Sequence, residues 1–178
     1  DNPTITTLES QHYSIYNIYF PAIAICSNNK LSKSKVELYA EHLLKLNLPK
    51  QYRSESRLIE LIAYMGRLYD ADIEGNDEFV KFQEILDKLD SEKATGIYDT
   101  RQKLNFLAPN CSDIVLKCKW GGQYRNCSEI IQTRRTNEGF CCSFNYVRPS
   151  NDSDNFEASA RIAAGIGPDM GLTILLNL

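Results

Sequence analysis

Nothing in this sequence approaches the 18 or more consecutive apolar residues that a membrane-spanning helix needs. The most apolar tract, Ala158 to Leu178, is broken by Arg161, Pro168 and Asp169. Histidine is nearly absent, and neither His12 nor His42 stands beside a nucleophile motif such as G-x-S-x-G. Gly165-Ile166-Gly167-Pro168 runs into a strand pattern and not into a helix, so it lacks the phosphate-cradling geometry of a glycine loop and reads as a turn. No Asp or Glu pair stands out as an acid and base, and the chain is expected not to be an enzyme. Excess charge is missing too. With 20 Lys and Arg against 23 Asp and Glu the net is −3, which excludes a surface built to neutralise phosphates and so a nucleic-acid partner. Nine glycines and six prolines among 178 residues are too few for a disordered or collagen-like chain. The sequence opens at Asp1 with neither Met nor a signal-like apolar segment, so it is expected to be a processed chain or a piece of a longer one.

What is present is cysteine. Five of the six, Cys111, Cys118, Cys127, Cys141 and Cys142, fall within 32 residues, and Cys26 stands apart. Zinc sites need paired ligands such as Cys-x2-Cys, whereas the intervals here are six, eight, thirteen and zero residues, so no metal is expected. Three N-x-S/T acceptors, Asn110, Asn126 and Asn151, accompany the cluster, a combination typical of an oxidising, glycosylating compartment. Asn110 and Asn126 immediately precede a cysteine, which leaves Asn151, in the polar run 151–155, as the favoured glycan acceptor. Six cysteines allow fifteen connectivities, and spacing ranks them without choosing. Cys118 and Cys127 flank Trp120-Gly121-Gly122, a turn-prone stretch, and closing that loop is worth about 2.7 kcal/mol in the chain-entropy model. A Cys26–Cys141 bridge would close more than a hundred residues for about 4.8 kcal/mol, which leaves Cys111 for Cys142.

Residues 12–27 are rich in β-formers and read as strand, with Pro21 marking a bulge or a junction because it has no N–H to donate. Residues 34–47 read as a helix with Ser34 and Glu37 at capping-box spacing and Leu48-Pro49 as its stop. Leu58, Leu61, Ile62, Met65, Leu68 and Tyr69 recur at three- and four-residue steps and predict a helix of about sixteen residues. A third helix is expected over about 78–89, with Phe79, Phe82, Ile85, Leu86 and Leu89 on one face. Shorter β-leaning pieces follow Cys111, and in the closing strand Leu172, Ile174, Leu176 and Leu178 share a face. The fold class expected is α+β, with antiparallel strands at both chain ends, a helical lobe inserted between them and disulfide staples. The first strand region is expected to pair with the last.

Charge is unevenly spread. Residues 70–99 hold ten acids against three lysines, net −7, while residues 100–148 hold eight basic and three acidic residues, net +5. Solvated helix faces answering a basic neighbour explain this most simply. A sharper reading makes Asp70, Asp72, Glu74, Asp77 and Glu78 a surface for cations or protons, since crowded carboxylates titrate nearer mild acidity. Asp70-Ala71-Asp72-Ile73-Glu74-Gly75 also imitates the start of an EF-hand loop, but position twelve is Lys81 where a bidentate Glu should close the calcium shell.

Three segments together resemble the extracellular region of the degenerin/epithelial sodium channel family, most closely its insect pickpocket branch. Phe20-Pro21-Ala22-Ile23-Ala24-Ile25-Cys26-Ser27-Asn28 is similar to the family's F-P-A-[VI]-T-[IL]-C-N after the first membrane helix. Gly139-Phe140-Cys141-Cys142-Ser143-Phe144-Asn145 is like its G-x-C-[YC]-x-F-N, and Gly171-Leu172-Thr173-Ile174-Leu175-Leu176-Asn177 is like the G-L-x-[LI]-x-L strand that follows. Ala24 and Ser27 depart from the usual Thr and Asn. The resemblance covers roughly 1–30 and 105–178.

It implies an extracellular part of a trimeric, amiloride-sensitive, ligand- or stimulus-gated sodium channel subunit in the plasma membrane, whose partners are two further subunits and an extracellular ligand. Both membrane helices and the pore would lie outside these residues, with sodium the transported ion and no cofactor. By the same likeness residues 1–30 are the first palm and ball strands, 31–148 the helical finger region with the cysteine cluster, and 149–178 a loop and the returning palm strand. Cys26 with Cys141 and Cys118 with Cys127 match family disulfides, while the adjacency of Cys141 and Cys142 leaves a swap with Cys111 open. The alternative is a secreted, disulfide-stapled helical binding module without channel activity.

Overall fold

The computed structural model describes residues 6–7, 12–69, 75–93, 99–147, 160–163 and 165–177. The chain forms two compact units, and it passes between them more than once. One comprises Asp1–Ala24, Val115–Gln132 and Ser143–Leu178; the other comprises Ile25–Ile114 and Thr133–Cys142.

The second unit carries the helices. α1 (Lys33–Leu44), α2 (Glu55–Tyr64), α3 (Asp77–Lys93) and α4 (Thr100–Leu107) each bring one apolar stripe to a common core. Val36, Tyr39, Ala40 and Leu43 of α1 meet Leu58, Leu61 and Ile62 of α2 and Phe79, Phe82 and Leu86 of α3, with Leu104 and Leu107 of α4 closing it. Burying each large side chain there is worth about 1.5–3 kcal/mol, which outweighs the propensity differences among these helices. The stripes were legible, but the boundaries shift. α1 enters at Ser32 and not at a Ser34/Glu37 box: the Ser32 N–H donates to the Leu107 carbonyl (2.8 Å), which fixes the start, and the Ser32 and Ser34 hydroxyls bond each other (3.1 Å).

The expected sixteen-residue helix divides into α2 and a 3-10 turn, Met65–Tyr69. A side chain added at Gly66 would approach Leu31 Cγ to 3.2 Å, so glycine lets the turn lie close to that residue. α3 runs to Lys93, beyond the expected end near 89. Its start is capped by Asn76, whose Oδ1 accepts from the N–H groups of Glu78 (3.0 Å) and Phe79 (3.1 Å). α4 was not foreseen. It is capped by Asp99, which accepts from the N–H groups of Arg101 (2.9 Å) and Gln102 (3.3 Å). A short helix α5 (Cys111–Ile114) follows it.

The first unit is built on a sheet ordered β3-β2-β6, from β2 (Val115–Trp120), β3 (Gln123–Arg125) and β6 (Leu172–Leu176). β2 and β3 form a hairpin with Trp120 opposite Gln123. The two connecting residues, Gly121 (φ 58°) and Gly122 (φ 79°), take the left-handed conformations that a tight primed turn requires. The last strand pairs antiparallel with β2, Cys118 opposite Ile174 and Trp120 opposite Leu172, and not with the first strand region. A short helix α6 (Cys127–Ile130), with Asn126 as its cap, leads out of the hairpin.

A second three-stranded sheet has the order β1-β5-β4, from β1 (Ile23–Ile25), β4 (Ile131–Thr136) and β5 (Gly139–Phe144). Strand structure in residues 12–27 is thus much shorter than expected, with His12 in no strand. Ser14 accepts from Tyr16 N–H and starts a 3-10 turn over Ile15–Asn17, and Pro21 keeps the ladder from beginning before Ile23. Helices and antiparallel sheets together, held by three disulfides, make this an α+β, disulfide-stapled fold.

Candidate functional site

Strand β5 organises the second unit because it carries two consecutive cysteines. Successive side chains on a strand point to opposite faces, so adjacent cysteines reach in two directions. Cys141 is bonded to Cys26, just past β1, with Cα atoms 4.5 Å apart, and Cys142 to Cys111 at the start of α5, at 5.5 Å. Thr136 supports the first bridge: its hydroxyl donates to the Gly139 carbonyl (3.1 Å) and lies 3.1 Å from the Cys141 sulfur. In the first unit Cys118 on β2 is bonded to Cys127 on α6 at 5.4 Å, which locks the glycine hairpin to the helix after it.

The first unit also holds an aromatic joint. Phe20, Trp120 and Phe144 pack edge-on and tilted with centroids 4.7 to 5.8 Å apart, and the Arg161 guanidinium lies 5.8 Å from the Phe144 ring centre. Beside it Asn145 takes a left-handed conformation (φ 54°), which Asn tolerates better than most residues. Its Nδ2 donates to the carbonyls of Phe20 and Arg161, and its Oδ1 accepts from the Arg161 N–H (2.6 Å). One side chain thus ties three stretches of chain that lie far apart in sequence. Phe20 N–H to Arg161 carbonyl (2.8 Å) and Ala163 N–H to Ile18 carbonyl (3.0 Å) extend the same seam. Residue-by-residue reasoning did not single out Asn145, and its place after the double cysteine was the available signal.

Of the acidic candidates, Asp70, Asp72 and Glu74 lie outside the described residues. Asp77 and Glu78 occupy the first turn of α3, where the helix dipole favours negative charge. Asp77 is exposed, whereas Glu78 faces α2: its carboxylate receives a two-pronged contact from Arg57, which also donates to Glu60. The bonds to Glu78, and then to Glu60, raise the Arg57 pKa above its ordinary value. Twenty-one residues separate this pair, so sequence gave no hint of it. Among the described residues no group of three or more His, Cys, Asp or Glu is gathered as metal ligands would be, and no helix is long and apolar enough to cross a membrane.

Asn151 also lies outside the described residues. Asn110 and Asn126 are both exposed but differently occupied. Asn110 accepts from Lys35 Nζ (2.7 Å) and donates to Asp113 (3.0 Å), while Asn126 spends its Oδ1 on the N–H (3.3 Å) and hydroxyl (3.0 Å) of Ser128.

Compared with known families, residues 1–178 match the amiloride-sensitive sodium channel family over their whole length. The chain belongs to that family. Among curated proteins it is 29% identical over 176 residues to the Sodium channel protein Nach of Drosophila ananassae, covering 99% of this chain and 31% of that protein. The Drosophila melanogaster Sodium channel protein Nach is 28% identical over 144 residues, 81% of this chain and 25% of its own length. Pickpocket protein 28 of Drosophila melanogaster is 24% identical over 161 residues, 90% of this chain and 22% of its own. These relatives put the sodium channel family member described here on the insect pickpocket branch, and the chain spans less than a third of the length of each. The family is one of ion channels and not of enzymes.

Proposed function

We propose that these residues are the finger and upper palm of the extracellular domain of a sodium channel subunit. The whole subunit would assemble as a trimer in the plasma membrane and pass sodium through an amiloride-sensitive pore gated by a ligand or another stimulus. In this reading residues 1–30 and 149–178 supply palm strands and 31–148 the finger region. Its role is not enzymatic, and it needs no cofactor. The observation that carries the proposal is the family match across all 178 residues, with sodium channel relatives aligned to nearly the whole chain.

The physical role fits. A gated channel has to pass a signal through its outer domain without unfolding it, and three disulfides with the Asn145 seam keep each unit rigid enough to move as a body. Asp77 and Glu78, with the acids at 70, 72 and 74, are the surface proposed to meet cations or protons, and Asn151 is the proposed glycan acceptor. The test is to obtain the native transcript on both sides of this segment and express the full-length subunit, alone and with a pickpocket partner, for current recording. Flanking runs of about 20 apolar residues and an amiloride-blocked sodium current are the expected results. A signal peptide before Asp1, an early stop after Leu178 and release into the medium would overturn the proposal and leave a secreted binding module.

A further inference from the structure

Helices α1 and α4 leave between them an open groove of about 290 Å³. Leu38, Tyr39 and His42 line it from α1, Lys45 from the cap at the end of that helix, and Lys103 and Phe106 from α4. Positions 38, 42 and 45 recur at four- and three-residue steps and so share one helix face, away from the Val36, Ala40 and Leu43 stripe that enters the core. The groove is held at one end, where the start of α1 is tied to the end of α4. Ser32 N–H donates to the Leu107 carbonyl (2.8 Å), and Lys35 Nζ donates to the Ala108 carbonyl (2.7 Å).

Two properties of the lining define what would fit. Its walls offer apolar surface that the core does not use: Leu38 is 56% exposed and Phe106 45%. Its charge is predominantly positive. Lys45 and Lys103 make no ion pair with a carboxylate among the described residues, and Glu41 is the single acid in the lining. The Lys103 ammonium stands 5.4 Å from the Tyr39 ring centre and that of Lys35 5.9 Å from the Phe106 ring centre, which adds positive potential along the aromatic walls. A metal cation or an amine would be repelled. A bare inorganic anion would gain nothing from Leu38 and Phe106.

We propose that this groove binds an amphipathic monocarboxylate. An aryl or alkyl body lies against Leu38 and Phe106, and the carboxylate is held by Lys45 and Lys103. The volume stands at the small end of ligand pockets and suits a molecule of roughly a dozen non-hydrogen atoms. Oppositely charged groups that bridge α1 to α4 would stiffen the two helices against each other, a property suited to a stimulus site on the lobe. The binding itself does not depend on the channel reading.

The experiment is ligand-observed NMR (saturation transfer) and titration with 4-phenylbutyrate on the full-length subunit in lipid nanodiscs. Butyrate, which lacks the body, and 4-phenylbutylamine, which reverses the charge, serve as comparisons. The expected result is transfer to the phenyl protons, with both comparison molecules at least about tenfold weaker. The double variant Lys45→Met, Lys103→Met should weaken 4-phenylbutyrate about tenfold, while Lys33→Met, on α1 but outside the groove, should leave its affinity unchanged. No transfer, an amine that binds as tightly as the acid, or full affinity in the double variant would overturn the proposal. Because the readout is binding and not current, a null result here leaves the channel reading standing, and a failed current recording leaves this one.

Discussion

Asn145 is the residue whose replacement should report most directly on how the first unit holds together. Its side chain makes three hydrogen bonds to backbone groups of Phe20 and Arg161, and its own φ of 54° suits Asn or Gly better than other residues. With about 1 kcal/mol net for each bond, Asn145→Ala forfeits about 3 kcal/mol. Holding alanine in a left-handed conformation adds about 1 kcal/mol more. Asn145→Gly loses the same bonds without the backbone cost and should stop near 3 kcal/mol. Asn145→Asp keeps the acceptor that faces the Arg161 N–H but turns a carboxylate oxygen on the carbonyls of Phe20 and Arg161, and should cost at least about 3 kcal/mol. The order of stability is therefore wild type, Gly, Ala, with Asp no better than Gly. Thermal unfolding of the detergent-solubilised full-length subunit, followed by size-exclusion fluorescence, would rank the four. An alanine variant as stable as wild type would refute the bond accounting, and an alanine variant more stable than the glycine one would refute the backbone argument.

Other expectations follow from the same structure. Freeing the Cys26–Cys141 loop removes about 4.8 kcal/mol of chain-entropy stabilisation against about 2.7 for Cys118–Cys127, whose partners stand 115 and 9 residues apart in sequence. Cys26→Ser should therefore lower surface expression of the full subunit more than Cys118→Ser, and equal losses would contradict the ranking. The buried Tyr69 hydroxyl has no hydrogen-bond partner among the described residues, so Tyr69→Phe should leave stability at pH 7 unchanged or slightly higher. Burial also raises the Tyr69 pKa, against a smaller opposing pull from Arg135. The folded state then keeps a proton that the unfolded chain releases near pH 10, so stability from this group is present below that pH and is lost as pH climbs toward the folded value; an unfolding series to pH 11 should show a shallower alkaline decline in the Phe variant. Asp99→Ala removes the cap of α4 and should cost about 1 kcal/mol in the same thermal assay.

What could be seen in the sequence, and what could not, divides along the range of the interactions involved. The stripes of α2 and α3 depend on residues three and four apart, and the alternation of Leu172, Ile174 and Leu176 on neighbours two apart, so both were legible. α4 offers only Leu104 and Leu107 to the core, too thin a stripe to notice, although Asp99 before it was a usable cap signal. The strand character of residues 12–22 was over-read: Tyr13, Tyr16, Ile18 and Tyr19 favour β structure, but they are exposed, and among the described residues the pairing of this stretch stops at a single antiparallel bridge from Tyr19 to Ile162. The partner of β6 could not be found locally at all, because β2 pairs with it across some fifty residues. The same holds for Arg57 against Glu78 and for Asn145, whose value lies entirely in distant carbonyls.

The doubled cysteine of β5 sets an order on oxidative folding. Exchanging partners, so that Cys26 took Cys142 and Cys111 took Cys141, would lengthen one loop by a residue and shorten the other by one, a difference of less than about 0.1 kcal/mol in closure. Chain statistics therefore cannot tell the right pairing from the wrong one while the segment is unstructured. Only the pleat can, by turning the two thiols to opposite sides. The first bridge to either thiol has to wait until β5 is formed, and a chain oxidised too early has to exchange its disulfides to reach the native set.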